Sequence, residues 1–290
     1  MAASAKPHIS RIDKAFKDDY SRSFNLTIQL SLDGFSFVIY SPEKQRYLGV
    51  EAYQFLSVDD DIRLAAALDQ VIMQNQWIAY PFQSVTVLMD HTHSTLVPSP
   101  LYDEKEKGSF LAFNQLYKDN SRIIADHLVN AGAFNVYYLS NPLVEKIKDL
   151  WANARIVHFS SALIESLLIQ HKNKPTDDVM FVNVRNKVFD IVVIRNEKLF
   201  FYNNFRYQTR EDFIYFLLFT MEQLRLNPET VQVKMMGMVY KNADIYEIAW
   251  KYIRNIGFIE RNKLFDYSYV LEELPGHYHY VLYNTLQCEL

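Results

Sequence analysis

Two histidines and a carboxylate stand together at Asp90-His91-Thr92-His93, directly after the apolar run 85–89. Imidazole and carboxylate are metal-binding groups, and a loop leaving a buried strand is a common place to present them. Spacing supplies no third ligand, so the segment reads equally as a solvated polar loop and no metal site is assigned. His277-Tyr278-His279-Tyr280 alternates in the manner of an edge strand with one polar face; a proton- or metal-binding pair is the competing reading. Cys288 is the one cysteine. It can form no intramolecular disulfide, which points to a reducing compartment. With no histidine and asparagine to pair with it, Cys288 reads as a surface thiol and not a nucleophile.

Nucleotide chemistry depends on glycine, because a backbone that wraps a phosphate needs positions without a Cβ. The chain has 7 glycines in 290 residues, Gly34, Gly49, Gly108, Gly132, Gly237, Gly257 and Gly276, and no two lie within ten residues of each other. Walker, dinucleotide-binding and kinase-type glycine loops are thereby excluded. Hydrophobic residues at 49% and charged residues at 22% describe an ordinary folded chain. A formal charge of -4 supplies no basic footprint for nucleic acid. Residues 1–16 lack the apolar core of a signal peptide, and the longest apolar run, 213–219, is far shorter than the roughly 20 residues that span a bilayer. The expectation is a cytoplasmic protein without membrane insertion.

The elements that would carry these residues repeat. Strands are expected at 26–32, 35–40 and 47–55, with a turn at Ser41-Pro42-Glu43-Lys44. Asp59 is the expected N-cap of a helix bearing Ile62, Ala65, Leu68, Val71 and Ile72, and 85–89 reads as a strand buried on both faces. The same order returns about 150 residues later: strands at 179–184, 188–194 and 199–206, a helix capped by Thr209, and a strand at 231–236. Phe37-Val38-Ile39 aligns with Ile191-Val192-Val193. Each half then continues with a helix and a strand, 110–130 and 134–139 in the first, 244–255 and 257 onward in the second. A helix opening at Asn141-Pro142, a strand at 155–159 and a helix at 160–170 join them, with the polar stretch 171–178 as the boundary. The domains expected are 20–172 and 173–290, with the C-terminal segment packing back on the first.

A duplicated βββαβαβ unit with mixed five-stranded sheets resembles the actin-like ATPase (ribonuclease H-like) fold of actin, the heat-shock chaperone ATPases, sugar kinases, the bacterial division actin homologue and the type IV pilus platform protein. Leu30-Ser31-Leu32-Asp33-Gly34-Phe35-Ser36 and Thr95-Leu96-Val97-Pro98 resemble an uncharacterised bacterial family of that fold. The resemblance implies ATP and Mg as candidate cofactors, with phosphate on two hairpins and adenosine beside paired glycines. It carries over to Asp33, Gly34 and Ser36 in the first hairpin, and to Gly237 as one glycine of the adenosine pair. The second hairpin, Asn183-Val184-Arg185-Asn186-Lys187-Val188, lacks the family's aspartate and glycines and reads as a polar turn with Asn186 at positive φ.

Three functions follow. One is an actin-like scaffold that binds nucleotide weakly or not at all and works through a protein partner or a homo-oligomer, some of its tyrosines forming a contact patch. The second is a divergent ATPase or small-molecule kinase using Asp33, Ser36 and Gly237. The third is a metal-dependent ribonuclease H-like nuclease with Asp33 and Asp90 as its carboxylates.

Overall fold

The computed structural model describes residues 6–56, 58–116, 118–173 and 178–290. Part of the expected boundary, residues 174–177, lies outside the described residues. Cα proximity divides the chain into two compact units: Met1–Glu165 with Lys263–Glu273 and Val281–Leu290, and Ser166–Asn262 with Leu274–Tyr280.

The first unit begins with β1 (Ile9–Ile12), followed by the meander β2 (Asn25–Ser31), β3 (Gly34–Ser41) and β4 (Arg46–Gln54). Leu26, Ile28 and Leu30 alternate along β2, and Phe35, Phe37 and Ile39 along β3, so each strand turns one set toward the core. Helix α1 (Asp61–Gln74) covers that face with Leu64, Leu68 and Val71. Its N-cap is Asp60 and not Asp59: Asp60 accepts from the Arg63 amide at 2.7 Å, while Asp59 lies one residue too far out and instead holds the Arg63 guanidinium at 2.9 Å. Strand β5 (Ser84–Met89) pairs parallel with β2.

The segment expected to be a helix over 110–130 is different. After β6 (Ser94–Pro98), helix α2 (Lys107–Ala112) is short, and β7 (Ser121–Leu128) and β8 (Ala133–Ser140) form a hairpin. Together they make a separate three-stranded sheet, order β6-β8-β7. Helical spacing of apolar residues is broken by Asp119-Asn120, where Asn120 takes φ 52, and by Gly132 at φ 62 in the hairpin turn. Ile123 and Ile124 then face Tyr138 and Tyr137 across the ladder. The hairpin turn is tied down by Glu165, a fully buried carboxylate that accepts from the amides of Asn130 and Ala131 and from Asn130 Nδ2 at 2.6 Å.

Helix α3 (Asn141–Leu150), β9 (Arg155–His158) and α4 (Phe159–His171) follow. Strand β9, and not β8, is the fifth strand of the first main sheet, parallel to β5. The order is β1-β4-β3-β2-β5-β9, so the five-stranded core β4-β3-β2-β5-β9 carries β1 as an addition, and β15 (Asp266–Tyr267) pairs β4 as well.

The second unit repeats the core. Strands β10 (Val179–Arg185), β11 (Val188–Arg195) and β12 (Lys198–Arg206), helix α5 (Arg210–Gln223), β13 (Gln232–Gly237), α6 (Asp244–Tyr252) and β14 (Asn255–Phe258) give the order β12-β11-β10-β13-β14. Pairing directions match strand for strand. So does an irregularity: the β3–β4 register shifts between Ile39 and Tyr40, and the β11–β12 register between Val193 and Ile194. Ile39 and Val193 are aligned residues, so Leu48 and Phe200 are one bulge written twice. The pairing makes Ser31 the counterpart of Arg185, Ser36 of Asp190, and Ala52 of Asn204.

The residues 274–280, expected in part as an edge strand, form turns that lead into α7 (Tyr280–Asn284). Helix α5 opens on a complete capping box, Asp212 N–H donating to Thr209 Oγ1 at 3.1 Å and Thr209 N–H to Asp212 Oδ2 at 3.0 Å. Thr209→Ala should cost about 1 kcal/mol, read as a lowered urea midpoint for the second unit; an unmoved midpoint would show the box to be replaceable by water.

Candidate functional site

Asp33, Gly34 and Ser36 share the β2–β3 hairpin, where a phosphate would have to be met by outward-facing backbone N–H groups. Ser31 occupies those donors. Its Oγ accepts from the amides of Asp33 at 3.2 Å and Gly34 at 3.1 Å. Gly34 has a reason of its own to lack a side chain, since a Cβ there would lie 2.4 Å from the Tyr53 carbonyl oxygen on β4. Asp33 is exposed on the turn and its carbonyl accepts from Phe55 N–H at 2.9 Å. Ser36 is half-buried in β3, opposite Gln29 on one side and Ala52 on the other.

At the matching hairpin of the second unit, Arg185 stands where Ser31 stands and Asp190 where Ser36 stands. Asp190 is fully buried and Arg185 grips it with a two-point fork, Nε to Oδ2 at 2.9 Å and Nη2 to Oδ1 at 2.8 Å. Asn183 Nδ2 and the Tyr202 hydroxyl also donate to this carboxylate, at 2.9 and 3.1 Å. Arg185, one of the hairpin's two basic residues, therefore neutralises an internal acid. The positive φ falls on Lys187, at 53°, and not on Asn186.

Gly237 lies in the second unit at the end of β13. Its φ of +89° needs glycine, and a Cβ would come within 2.1 Å of the Val184 carbonyl oxygen. Its N–H donates to the His277 carbonyl at 3.0 Å. The His277 ring stacks on Phe258, centroids 4.0 Å apart, and its Nε2–H donates to the Val239 carbonyl at 2.8 Å. Burial holds this imidazole below its ordinary pKa. The segment read from the sequence as an edge strand is thus a clamp over the Gly237 turn.

The sequence reading missed a buried polar network in the first unit. Asp126 accepts from Ser161 Oγ at 2.6 Å, the His158 amide at 2.8 Å and the Tyr137 hydroxyl at 3.1 Å. Asn135 Nδ2 donates to Ser160 and Ser161 Oγ at 3.0 and 2.9 Å. His158 Nδ1 accepts from the Ser160 amide at 3.1 Å and faces Ser160 Oγ at 2.7 Å, which leaves the proton on Nε2, directed at His91 Nδ1 3.3 Å away. A serine hydroxyl on an imidazole resembles a nucleophile with its base. Both residues are 1% exposed, however, and no substrate reaches Ser160. Asp126 and Ser160-Ser161 lie in segments read as helical, so nothing in their spacing marked them as neighbours.

The Asp90–His93 loop joins this network: Gln29 Nε2 donates to Asp90 Oδ2 at 2.7 Å, and His93 Nδ1 lies 3.1 Å from Gln115 Oε1. Among the described residues no three His, Cys, Asp or Glu side chains are grouped to hold a metal ion. Cys288 is not a surface thiol. It is 4% exposed, its Sγ against the carbonyls of Asn284 and Ala162, and burial pushes its pKa up to about 12.

Two sheets of one strand order, each opening on an antiparallel hairpin and flanked by helices, define an actin-like ATPase fold. The chain belongs to the family described as Protein of unknown function (DUF3822), matched over residues 13–256. It is similar to a Bacteroides thetaiotaomicron protein of actin-like ATPase fold and unknown function, with TM-score 0.75 and 22% identity over 84% of this chain and 93% of that one. It is similar also to the PilM-PilN type IV pilus biogenesis complex, with TM-score 0.59 and 11% identity over 92% of this chain and 98% of that one. Among curated proteins none matches. No helix among the described residues is long and apolar enough to cross a membrane.

Two substitutions test the geometry. Gly237→Ala forces a methyl into the Val184 carbonyl at positive φ, and should lower the melting temperature of the second unit sharply; a small loss would mean that β10 yields easily. Burial outweighs the three donors and pushes Asp126 up to about 6 from an ordinary 3.8. The fold therefore binds this proton more tightly than the unfolded chain does, and the stabilisation is complete below about pH 4 and lost as pH rises through about 6. Asp126→Asn should flatten the pH dependence of the urea midpoint across that window; an unchanged slope would assign the proton to another group.

Proposed function

We propose that this chain is a protein-interaction module of actin-like fold that binds nucleotide weakly or not at all. One observation carries the reading: each candidate ligand-facing amide, at Asp33, Gly34 and Gly237, already donates to an acceptor of the chain itself, Ser31 Oγ for the first two and the His277 carbonyl for the third. A phosphate or adenosine would have to displace these bonds and gain correspondingly less. Partner binding on this fold has a structural counterpart in the PilM-PilN complex, and a protein partner in the cytoplasm is the setting proposed here.

A divergent ATPase remains the second reading because Asp33 keeps an exposed position on the turn. Calorimetric titration of the purified chain with MgATP separates the two. The expected result is no binding tighter than about 1 mM, a free energy near -4 kcal/mol. Micromolar binding, with hydrolysis that Asp33→Ala abolishes, would replace the interaction module with the ATPase.

A further inference from the structure

The internal duplication offers a template for one surface. In the first unit the outer edge of β4 is covered: β1 runs antiparallel along it, Ile9 opposite Ala52 and Ile12 opposite Gly49, and β15 pairs parallel at Arg46 and Tyr47. The bonds that fix the ends of β1 run from His8 N–H to the Ala52 carbonyl and from Asp13 N–H to the Leu48 carbonyl, each 2.8 Å. Their counterparts on β12 are Asn204 and Phe200. There the edge ends the sheet, and among the described residues no strand pairs with its outer side.

We propose that β12 is a docking edge for an extended, carboxylate-bearing segment of a partner protein, which adds antiparallel as β1 adds to β4. Edges that are meant to stay bare are kept short, interrupted by proline, guarded by charges such as Lys along their length, or twisted away by a bulge; on β12 the charges, Lys198 and Arg206, stand only at the two ends. Strand β12 has 9 residues and no proline. Its bulge at Phe200 is shared with the covered strand β4, so the bulge is compatible with an added neighbour and is not a guard against one. Charge selects the occupant. Lys198 and Arg206 are exposed at the two ends and no carboxylate lies between them, in a chain whose formal charge is -4. A second copy paired antiparallel about the strand's centre would set Lys198 against Arg206, like charges directly opposite. Acidic ends on a foreign strand meet both cations.

One position also sets a size limit. A Cβ on Gly49 would lie 2.6 Å from Ile12 Cδ1, so the large Ile12 is accepted because glycine faces it. The counterpart of Gly49 is Phe201. The docking segment therefore carries a small residue opposite Phe201.

This surface deepens the reading of the chain as an interaction module and is tested apart from it. The probe is a fluorescent peptide of alternating Thr and Val with Ser at its centre and Asp-Glu at each end, titrated into the full chain and followed by anisotropy. The control peptide has Lys-Lys ends. The acidic peptide should bind, more weakly at high salt, and at least about tenfold better than the control. The Asn204 N–H, outward by the β4 template, donates to its exposed neighbour Asn203 Oδ1 at 2.9 Å, a bond a docking strand displaces; Asn204→Pro removes this donor and should weaken binding about tenfold. Should that variant misfold, the Lys198→Glu, Arg206→Glu double variant decides: its preference should pass to the Lys-ended peptide. Absence of binding, equal affinity for both peptides, or no response to either variant overturns the proposal. A dimer on sedimentation that Asn204→Pro dissolves, with no peptide binding, overturns it too and gives the edge to a second copy. The interaction module itself stands or falls on the MgATP titration, whatever the peptides do.

Discussion

In each half one strand, β2 or β10, bonds an antiparallel neighbour along one edge and a parallel neighbour along the other. A strand so placed can reach water through neither edge, and its alternating side chains must be buried or bonded on both faces. The remaining elements follow from that demand. The hairpins that return the chain into β3 and β11 must be tight, the parallel neighbours β5 and β13 need helices for their crossovers, and the ends of β2 and β10 become the places where polar groups gather. Gln29 with Asp90 at one end, and Asn183, Arg185 and Asp190 at the other, are solutions to a single problem of satisfying donors where a doubly bonded strand emerges.

The two halves solve it with different residues at matched positions. Where the first has Ser31 and Ser36, the second has Arg185 and Asp190. A small hydroxyl closes its own turn, and a long guanidinium reaches from β10 to a buried acid on the neighbouring β11. The first leaves neither the Asp33 nor the Gly34 amide facing outward as a rigid anion cradle would require, and the second commits its guanidinium to an internal carboxylate. In this chain the hydrogen bonds of the hairpins serve the fold, and the glycines that survive, Gly34 and Gly237, are fixed by close backbone approach to Tyr53 and Val184.

Much of this architecture was legible in the residues. Strong alternation, as in Leu26-Ile28-Leu30, and turn chemistry, as at Ser41-Pro42-Glu43-Lys44, located the first meander, the repeated order located the second, and the alignment of Ile39 with Val193 holds down to the bulge beside it. Legibility failed where periodicity was ambiguous or the partner was remote. Apolar residues from Phe110 to Leu128 fit a helix as well as a short helix and a strand; Asn120 and Gly132, which decide the matter, act through single backbone angles. The short strand β1 is recognisable only beside β4, and the clamp of His277 on Gly237 spans 40 residues of chain. Glycine scarcity excludes the loop motifs at the level of the sequence itself. What it could not disclose was that serine and histidine atoms fill the bonds that glycine would have left open.

The burial of Cys288 has a consequence for observing the molecule in motion. Its sulfur lies against the carbonyls of Asn284 and Ala162, and Arg155 donates to the carbonyl of Leu290 nearby in sequence. With a single thiol in the chain, a thiol-selective alkylating reagent has one site of attack and must wait for the segment from Val281 to Leu290 to lift from the rest of the first unit, to which it belongs. Because the thiolate is the reactive species, the labelling rate of the native protein counts those openings, one chain at a time. The C-terminal segment thus carries its own clock.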